Sequence, residues 1–402
     1  MGGGVDADAS DDKQKMLEVR VAKAEADKQR VFHFRYQVYV EEMGKRPQEA
    51  DHTLKQLRDP LDDSGIVLFM EDQGRVIASA RFHSGSVCAE DSQTASRYRL
   101  DLFDEFRLDA LSFGSRLMIA PSWRGTRALG RLLSELYSLG RKQRACFNFV
   151  HCAPGLVDFY EQLGYLRYSD GFMEGDLGYR VPMVFVIEDV AHMRAVRSPL
   201  YRLARRYDNN EVASHWFHQK FPQATRFINR RLLGDDEFWG LLGTRLQSAQ
   251  LNRIPILEGL SGEDTKAFLR SSSVLNFSRG EVLIRPGDSG KELFIALSGT
   301  AEVLVNDSQQ KISVALVGPG QCFGEISFLS ESPRSAWVVA LTEMEVLTIT
   351  QQALKKSMVT LPTISAQILY NLSQVLCERL RVSNQILLDM NSESYQKGTQ
   401  DE

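Results

Sequence analysis

The 402-residue sequence predicts an α+β multidomain protein, with a mixed α/β sheet domain, a helical linker, and a β-roll (jelly-roll) that ends in a long C-terminal helix. Three changes in pattern predict this order. Residues 16–192 alternate strand-like and helix-like segments, and residues 193–250 look helical and basic. Residues 251–390 carry closely spaced glycines between short apolar runs, followed by a leucine-striped helix. We expect a disordered acidic tail over residues 1–15 and a polar tail over residues 391–402.

Composition narrows the functional classes. Apolar residues make up 43% and charged residues 25%, as in ordinary soluble globular proteins, and the net charge of -4 argues against a basic nucleic-acid-binding protein. The five cysteines form no CxxC pair, which predicts a reducing, cytoplasmic environment, no disulfide framework and no metal site. No apolar run approaches the roughly 18 residues of a membrane-spanning helix, so we expect no transmembrane segment.

The N-terminal domain contains a hairpin and then a strand–helix–strand unit. Residues 66–70 and 76–82 flank a polar turn, which predicts two antiparallel strands. A later strand at 115–119 is followed by a helix with a leucine face, to about Gln143, and by a second strand at 146–150. A helix that joins two strands in this way predicts a parallel pair with a right-handed crossover.

The segment FGEISFL, from residue 323, and the segment PRSAWV, from residue 333, carry the sharpest chemical signal. The carboxylate of Glu325 can accept hydrogen bonds from ribose hydroxyls, and the guanidinium of Arg334 suits a phosphate monoanion. Gly324 permits close backbone approach, and the N–H groups of a tight loop favour the same anion. The alternative is that Glu325 and Arg334 form an ordinary surface ion pair.

These segments resemble the phosphate-binding cassette of cyclic nucleotide-binding domains, particularly those of the catabolite activator type. The upstream segment RPGDSGKELFIALSGTAEV is similar to the β-roll of the same family. The resemblance implies a cassette that includes Gly324, Glu325, Ile326 and Ser327. It assigns the ribose 2′-hydroxyl to Glu325. It assigns the cyclic phosphate to Arg334 and Ser335, with backbone assistance from Ser335 and Ala336.

The helix segment ERLRVSNQIL resembles the purine-contacting helix of that family. The resemblance places Ser383 and Asn384 at the positions that reach the base, although the same residues also fit a polar interruption of a packing stripe. Trp337 stands where many eukaryotic members have Thr or Ser, which favours cAMP over cGMP as the ligand.

The loop after the strand at 115–119 has a second signal. It holds Arg124, Gly125 and Thr126 and opens a helix, so its N–H groups and helix dipole favour a pyrophosphate. Residues 116–144 contain seven basic residues and one acidic residue, which suits a polyanionic cofactor arm or an acidic carrier protein. A solvated basic face is the alternative.

The segments RLMIAPSWRGTRALGRLL and VDFYEQLGY resemble the acyl-CoA-binding motif and following helix of the GNAT acyltransferase superfamily. The resemblance implies that a splayed strand pairs with the pantetheine arm and that Tyr160 protonates the leaving thiolate. The implied donor-binding residues are Leu117, Met118, Ile119, Arg124, Gly125, Thr126, Arg127, Ala128, Leu129 and Gly130. Arg127 occupies a position that is usually glycine in the family, so acyl-CoA and acyl carrier protein both stay open as donors.

The segments FRYQVYVEEMG and RDPLDDSGIVLFMEDQGRVIASARF narrow the resemblance to N-acyl-homoserine lactone synthases and N-acyl amino acid synthases. This implies that Arg35 and Arg81 order the N-terminal segment or hold an acceptor carboxylate. Amine acylation needs a base, and Glu42, or Glu41 through a water, is the candidate. Both glutamates also fit ordinary surface charges.

The sequence therefore predicts a cAMP-regulated N-acyltransferase that moves an acyl group from a thioester to the amine of a small amino-acid-like acceptor. A cAMP-regulated protein lysine acetyltransferase and a non-catalytic cAMP-binding adaptor are the alternatives. Only a short polar stretch follows the long helix, so we expect no DNA-binding domain and no nucleic-acid partner. The helix at about 363–388 is a candidate homodimer contact, and we expect residues 193–250 to transmit its ordering by cAMP.

Overall fold

A computed structural model describes residues 17–88, 91–225, 232, 235–248, 254–307, 310–330 and 332–398. The chain divides into two compact units, and the second begins at Asp235. That boundary falls inside the region predicted as a linker, and the domain limits drawn from the sequence stay predictions. The tail predicted over residues 1–15 and the last four residues of the polar tail lie outside the described residues.

The first unit is built on one mixed sheet. Its strands are β1 (Arg20–Val21), β2 (Ala50–Asp51), β3 (Gln56–Leu57), β4 (Ile66–Asp72), β5 (Arg75–Ser84), β6 (Leu111–Ile119), β7 (Phe147–Cys152), β8 (Leu166–Arg167), β9 (Phe172–Glu174) and β10 (Gly178–Val186). The strand order is β1–β4–β5–β6–β7–β10–β8, with β9 paired to β10, while β2 and β3 form a separate hairpin. The pair β6–β7 is parallel and the other pairs are antiparallel, which confirms the predicted crossover unit.

The predicted hairpin is β4–β5. Asp72 pairs with Arg75, so the turn consists of Gln73 and Gly74, both with positive φ (46° and 76°). This is the two-residue turn geometry that matches the twist of the flanking strands.

Nine helices of the first unit lie within the described residues. They are α1 (Glu25–Tyr36), α2 (Leu61–Ser64), α3 (Gly85–Cys88), α4 (Ser92–Arg97), α5 (Arg127–Lys142), α6 (Val157–Leu163), α7 (Val190–Ala195), α8 (Tyr201–Ala204) and α9 (Val212–Lys220). A π-helical turn, Gln37–Glu42, continues α1. Helix α5 is the predicted crossover helix, and it buries Leu132 and Leu133 of the predicted leucine face.

The core of the first unit lies on both faces of the sheet. Leu133 and Phe185 belong to the cluster beneath α5, and the opposite face carries an aromatic cluster that includes Phe147, Phe149 and Phe217. Residues 200–221 contribute to both clusters, so the first part of the predicted linker packs into this unit.

The second unit contains two four-stranded antiparallel sheets. Its strands are β11 (Ser273–Phe277), β12 (Val282–Ile284), β13 (Glu292–Ser298), β14 (Ala301–Asp307), β15 (Gln310–Val317), β16 (Cys322–Phe323), β17 (Trp337–Ala340) and β18 (Met344–Thr350). The sheet orders are β11–β18–β13–β16 and β12–β17–β14–β15, which confirms the predicted β-roll. The helices are α10 (Asp235–Ser248), α11 (Gly262–Phe268), α12 (Glu325–Leu329), α13 (Gln351–Thr360) and α14 (Pro362–Gly398).

Helix α14 is the predicted long helix, and it continues ten residues beyond the predicted end at 388. Ile368 and Leu372 are fully buried, and Asn371 donates a hydrogen bond of 2.7 Å to the carbonyl of Glu258. Farther along the helix, Leu380 is 63% exposed. No helix in the described ranges has the length and apolar character needed to cross a bilayer.

Candidate functional site

The central strands of the first unit separate partway along their length. Strand β6 pairs with β7 from Leu111 to Phe113 among the described residues, and beyond Phe113 the two strands diverge. At the same place the pairing of β6 with β5 shifts register, and Arg116 adopts a positive φ of 54°. The bulge and the divergence leave an opening in the sheet where the sequence predicts the pantetheine arm.

An internal cavity of about 50 Å³ lies next to this opening. Side chains from β6, β7, α5 and α6 line it, among them Leu117, Leu136, Val150, Tyr160 and Leu163. Asn148 also borders it, but its amide is engaged by the hydroxyls of Tyr165 and Ser112 at 2.7 and 2.9 Å. The wall is therefore predominantly apolar and suits a hydrocarbon chain.

Tyr160, the predicted general acid, lies on α6 against this cavity. Its ring packs edge-on against Tyr165, with 5.2 Å between the centroids. Burial raises the pKa of Tyr160 well above its usual value, so the hydroxyl is protonated at neutral pH. A proton donor to a thiolate needs that protonation state, and the assigned role stays a prediction.

The predicted donor loop precedes α5. The hydroxyl of Thr126 caps the helix by accepting a hydrogen bond of 3.2 Å from the backbone N–H of Ala128. Gly125 has a φ of 78°, and a Cβ atom added at Gly125 or Gly130 would meet no atom within 4 Å. The first turn of α5 is therefore open to close approach by an anion, in keeping with the predicted pyrophosphate position. Arg127 lies at the start of the same turn and is exposed.

Glu42 and Glu41, the predicted bases, are both engaged in ion pairs. The two amino nitrogens of Arg124 donate hydrogen bonds of 2.6 and 2.9 Å to the carboxylate of Glu42, and Nε of Arg124 donates to the carbonyl of Ile119. Glu41 accepts a hydrogen bond of 2.9 Å from Lys55. The base role of either glutamate stays a prediction, and it requires that these ion pairs break.

Arg35 and Arg81, the predicted acceptor-binding residues, lie in a buried ion network. Arg35 is fully buried and donates to Asp62 at 2.7 Å. Arg81 lies 2.5 Å from Asp59 and 2.9 Å from Asp62, and it is only 3% exposed. The sequence analysis did not predict these aspartate partners. Both arginines are buried, although Nε and one amino nitrogen of Arg35 have no hydrogen-bond partner among the described residues. The ordering role and the acceptor-binding role both stay predictions.

The same network reaches the opening in the sheet. Arg81 donates through Nε to the hydroxyl of Ser115, and Arg116 pairs with Asp59 at 2.6 Å. Burial alone would raise the pKa of the Asp59 carboxyl, but the charges of Arg81 and Arg116 outweigh it and hold that pKa well below the usual range. The network therefore anchors the bulged residues of β6.

In the second unit, Gly324 and Arg334 are in contact. Gly324 has a φ of 80°, and an added Cβ would lie 2.5 Å from an amino nitrogen of Arg334. Arg334 is 5% exposed and donates to the carbonyls of Gly324 and Glu292, each at 2.8 Å. The arginine is thus held inside the roll, and the surface ion pair considered as an alternative is absent among the described residues.

Glu325 forms an ion pair with a residue that sequence reasoning missed. Its carboxylate is 6% exposed and lies 2.6 Å from an amino nitrogen of Arg379 on α14. Arg379 lies one helical turn before Ser383, so the two residues share a face of α14. This spacing from the predicted purine-contacting pair was the signal in the sequence that could have identified Arg379. Ser383 and Asn384 are exposed on α14.

The remaining cassette residues differ in exposure. Ser327 is buried, Ile326 is 48% exposed and Ser335 is exposed, while Ala336 is partly buried. The structure therefore brings together Gly324, Glu325 and Arg334 as predicted neighbours. No cluster of three or more metal-ligating side chains occurs in the described part of the chain.

Comparison with known proteins finds one family model that matches part of each unit. Residues 34–134 match the family model described as an acetyltransferase (GNAT) domain, and residues 274–360 match the cyclic nucleotide-binding domain. The chain thus carries a GNAT-type acetyltransferase domain followed by a cyclic nucleotide-binding domain.

Similar proteins include two cAMP-related regulators and a catabolite activator protein of known structure. A CRP-like cAMP-activated global transcriptional regulator of Mycobacterium tuberculosis is 28% identical over 142 residues, which are 35% of this chain and 61% of that protein. The cyclic AMP receptor protein of Thermus thermophilus is 30% identical over 128 residues, or 32% of this chain and 57% of that protein. A crystal structure of the Thermus thermophilus catabolite activator protein is 30% identical and covers 34% of this chain and 63% of its own, with a TM-score of 0.31. The chain thus spans about three fifths of these relatives.

Proposed function

We propose that the protein is a cAMP-regulated N-acyltransferase that transfers an acyl group from an acyl thioester to the amine of a small amino-acid-like acceptor. The observation that supports acyl transfer is the opening between β6 and β7, with a predominantly apolar cavity on one side and Tyr160 in the wall of that cavity. A thioester laid into the opening would extend its acyl chain into the cavity. The predominantly apolar lining favours a chain longer than acetyl, since methylene groups buried against apolar side chains stabilise binding.

The donor is an acyl-CoA or an acyl carrier protein. Both carry a phosphopantetheine arm, and the open first turn of α5, with Arg124 and Arg127 beside it, suits its phosphate. In this proposal the phosphate replaces Glu42 as the ion-pair partner of Arg124. Because the basic residues of 116–144 outnumber acidic ones seven to one, an acidic carrier surface would also be attracted there.

Cyclic AMP is the proposed regulator. One similar protein is named as a cAMP-activated transcriptional regulator and another as a cyclic AMP receptor protein. In addition, Trp337 stands where many cassettes of the family that this segment resembles have Thr or Ser. A ribose hydroxyl would compete with Arg379 for Glu325, so nucleotide binding would act directly on α14. A change in acyl transfer requires a coupling free energy of about 1–3 kcal/mol, or 5- to 150-fold.

The test uses the full chain with acyl-CoA thioesters from two to fourteen carbons, a mixture of amino acids, and cAMP present or absent. Thiol release and mass spectrometry of the products report transfer. We expect the highest kcat/KM with a chain longer than acetyl, and a changed rate at saturating cAMP. An equal rate with and without cAMP would refute the regulation, although transfer itself would stand.

The two alternatives give different results in the same assay. A protein lysine acetyltransferase would use acetyl-CoA and acylate a lysine-containing peptide in preference to free amino acids. A non-catalytic adaptor would bind cAMP by calorimetry and release no thiol with any amine.

We also propose that α14 forms a homodimer contact. Leu380 and Leu388 are 63% and 61% exposed on this helix, and exposed apolar residues repeated along a helix favour a partner surface. Sedimentation of the full chain with Leu380→Glu should show a lower mass than the wild type, and an unchanged mass would refute the contact.

A further inference from the structure

Four side chains from separate elements meet beside the opening in the sheet. The carboxylate of Glu174, on β9, lies 3.1 Å from Nε of Arg180 on β10 and 3.7 Å from an amino nitrogen of Arg97 at the end of α4. Nε2 of His151, on β7, lies 3.6 Å from the same carboxylate. We refer to Arg97, His151, Glu174 and Arg180 as the polar cluster.

The polar cluster lies on the sheet face opposite the apolar cavity. Neighbouring strand residues point to opposite faces, and Val150 borders the cavity whereas Phe149 packs in the aromatic core. His151 follows Phe149 on that second face, where its ring stacks on Tyr98 with 5.7 Å between the centroids. Phe149 is also the last residue of β7 that pairs with β6. A thioester carbonyl in the opening would therefore have the cavity on one side and the polar cluster on the other.

The polar cluster has an excess of positive charge. One carboxylate, Glu174, faces two guanidinium groups, of which Arg97 is the more open, with 34% of its side chain exposed against 8% for Arg180. Burial lowers the pKa of His151 to about 4, and the charges of Arg180, Arg97 and Arg116 act in the same direction while Glu174 opposes them. The imidazole is thus neutral at pH 7. A ligand carboxylate would neutralise the remaining positive charge through charge-assisted hydrogen bonds.

The imidazole of His151 is also arranged to accept a proton. Its Nε2 faces Glu174, and its Nδ1 is buried and has no hydrogen-bond partner among the described residues. With a proton on Nε2 directed at Glu174, the lone pair lies on Nδ1. The adjacent carboxylate of Glu174 would offset part of the effect of burial and of the arginines, which disfavour a positive charge on the ring.

Given the acyl transfer proposed above, we infer that the polar cluster is the acceptor site: Arg97 and Arg180 bind the carboxylate of an amino-acid-like acceptor, and His151 takes the proton from its amine. The neutral amine nitrogen attacks the thioester carbonyl carbon, the C–N bond forms and the C–S bond breaks. The acceptor enters as the neutral amine after its ammonium form has lost one proton to solvent. Its second proton passes from the nitrogen to His151, and the departing thiolate takes a proton from Tyr160. The proton on His151 then returns through solvent to the Tyr160 phenolate, which restores both groups.

This assignment is an alternative to the bases predicted from the sequence, Glu42 and Glu41, and to the predicted acceptor residues, Arg35 and Arg81. Glu42 is bound by Arg124, Glu41 by Lys55, and Arg35 is fully buried against Asp62. The polar cluster, in contrast, combines partial exposure, two guanidinium groups for one carboxylate, and a buried imidazole nitrogen that has no hydrogen-bond partner among the described residues.

The first test separates carboxylate binding from folding. Full-length wild type, Arg97→Gln and Arg99→Gln are assayed with an active acyl-CoA and, as acceptors, an amino acid and its primary amide. Arg99 is a matched control because it is 51% exposed and pairs with Asp101. We expect Arg97→Gln to raise KM for the amino acid about ten-fold, equivalent to about 1.4 kcal/mol, and to leave KM for the amide unchanged. Arg99→Gln should change neither value.

The second test concerns proton transfer. His151→Gln should lower kcat about 100-fold with little change in KM, and the deficit should narrow as the pH approaches the pKa of the amine, since solvent then takes over the proton. His215→Gln is the control, because His215 is 78% exposed. A purely structural role of His151 would lower kcat equally at every pH.

The outcomes separate the inference from the proposed function. Transfer by the wild type with an unaltered kcat in His151→Gln, or with KM raised equally for the amino acid and its amide in Arg97→Gln, overturns the acceptor site alone. Absence of transfer to any amine by the wild type, with and without cAMP, overturns the proposed function and this inference together. Equal melting temperatures of the four variants and the wild type establish that folding does not account for the differences.

Discussion

Replacing Gly324 by Ala tests whether the cassette geometry is required for nucleotide binding. Two physical effects act at this position. The φ of 80° is a conformation that costs a residue with a Cβ about 1–2 kcal/mol. The added Cβ would also lie 2.5 Å from an amino nitrogen of Arg334 and 2.9 Å from the carbonyl oxygen of Glu292. Because the second contact is with backbone, the side chain of Arg334 is the group that must move.

Gly280 provides a matched control. Its φ is 86°, nearly that of Gly324, but an added Cβ there would meet nothing within 4 Å. Gly280→Ala therefore has the backbone strain without the displaced arginine. We expect each variant to lose about 1–2 kcal/mol of unfolding free energy from strain. Gly324→Ala should lose in addition the contribution of hydrogen bonds to a charged group, about 1.5–3 kcal/mol.

Measurement of cAMP affinity distinguishes Gly324→Ala from Gly280→Ala more clearly than measurement of unfolding free energy does. Displacement of Arg334 should weaken cAMP binding by at least about ten-fold, since a charge-assisted phosphate contact contributes about 1.5–3 kcal/mol. Isothermal titration calorimetry of nucleotide-free full chain gives Kd, and urea unfolding gives the stability. Equal Kd values for wild type, Gly280→Ala and Gly324→Ala would refute the assignment of Arg334 to the phosphate.

Three further predictions concern the first unit. Tyr160→Phe should lower kcat about 100-fold with unchanged KM for the donor, measured by thiol release; an unaltered kcat would exclude a role as proton donor. Glu42→Gln should free Arg124 and lower KM for acyl-CoA several-fold, most clearly at low ionic strength, and a higher KM would contradict the proposed competition between Glu42 and phosphate. The pKa of Asp59 is lowered in the folded state, so its stabilising contribution is present above the unfolded value near 4 and is lost as the pH falls below it. Asp59→Asn should thus reduce stability at pH 7 and narrow the difference from wild type at low pH, as followed by urea unfolding at each pH.

Local patterns were sufficient to predict the elements and the glycine-dependent parts of the sites. The hairpin β4–β5 follows from alternating apolar residues around a turn, and α5 follows from its leucine spacing and its Thr126 cap. Gly324 was predictable because a tight loop that approaches an anion needs a residue without a Cβ. These features depend on residues within a few positions of one another, so they can be predicted from short segments of the sequence.

Partners that are distant in the chain were not predictable in the same way. Arg379 is 54 positions from Glu325, and Asp62 is 27 positions from Arg35, yet both pairs lie within 2.7 Å. Which acid meets which base depends on how the elements are arranged, and a lone charged residue has the same local pattern whether it is solvated or paired. The polar cluster shows the same limit, because β7, β9, β10 and α4 each supply one member.

The two units share a physical arrangement that bears on both proposed ligands. In each, a group predicted to bind a ligand is already satisfied by the protein: Arg124 by Glu42, and Glu325 by Arg379. The buried Glu325 carboxylate would be costly without a partner, whereas the more exposed pair of Arg124 and Glu42 contributes about 1 kcal/mol or less. The ligand must then replace a contact, and its affinity reflects the difference between the two. Removing the internal partner should therefore act in opposite directions on ligand affinity and on the stability of the unliganded protein. A residue that only binds ligand would leave that stability unchanged, whereas Glu42 and Arg379 should each alter both quantities.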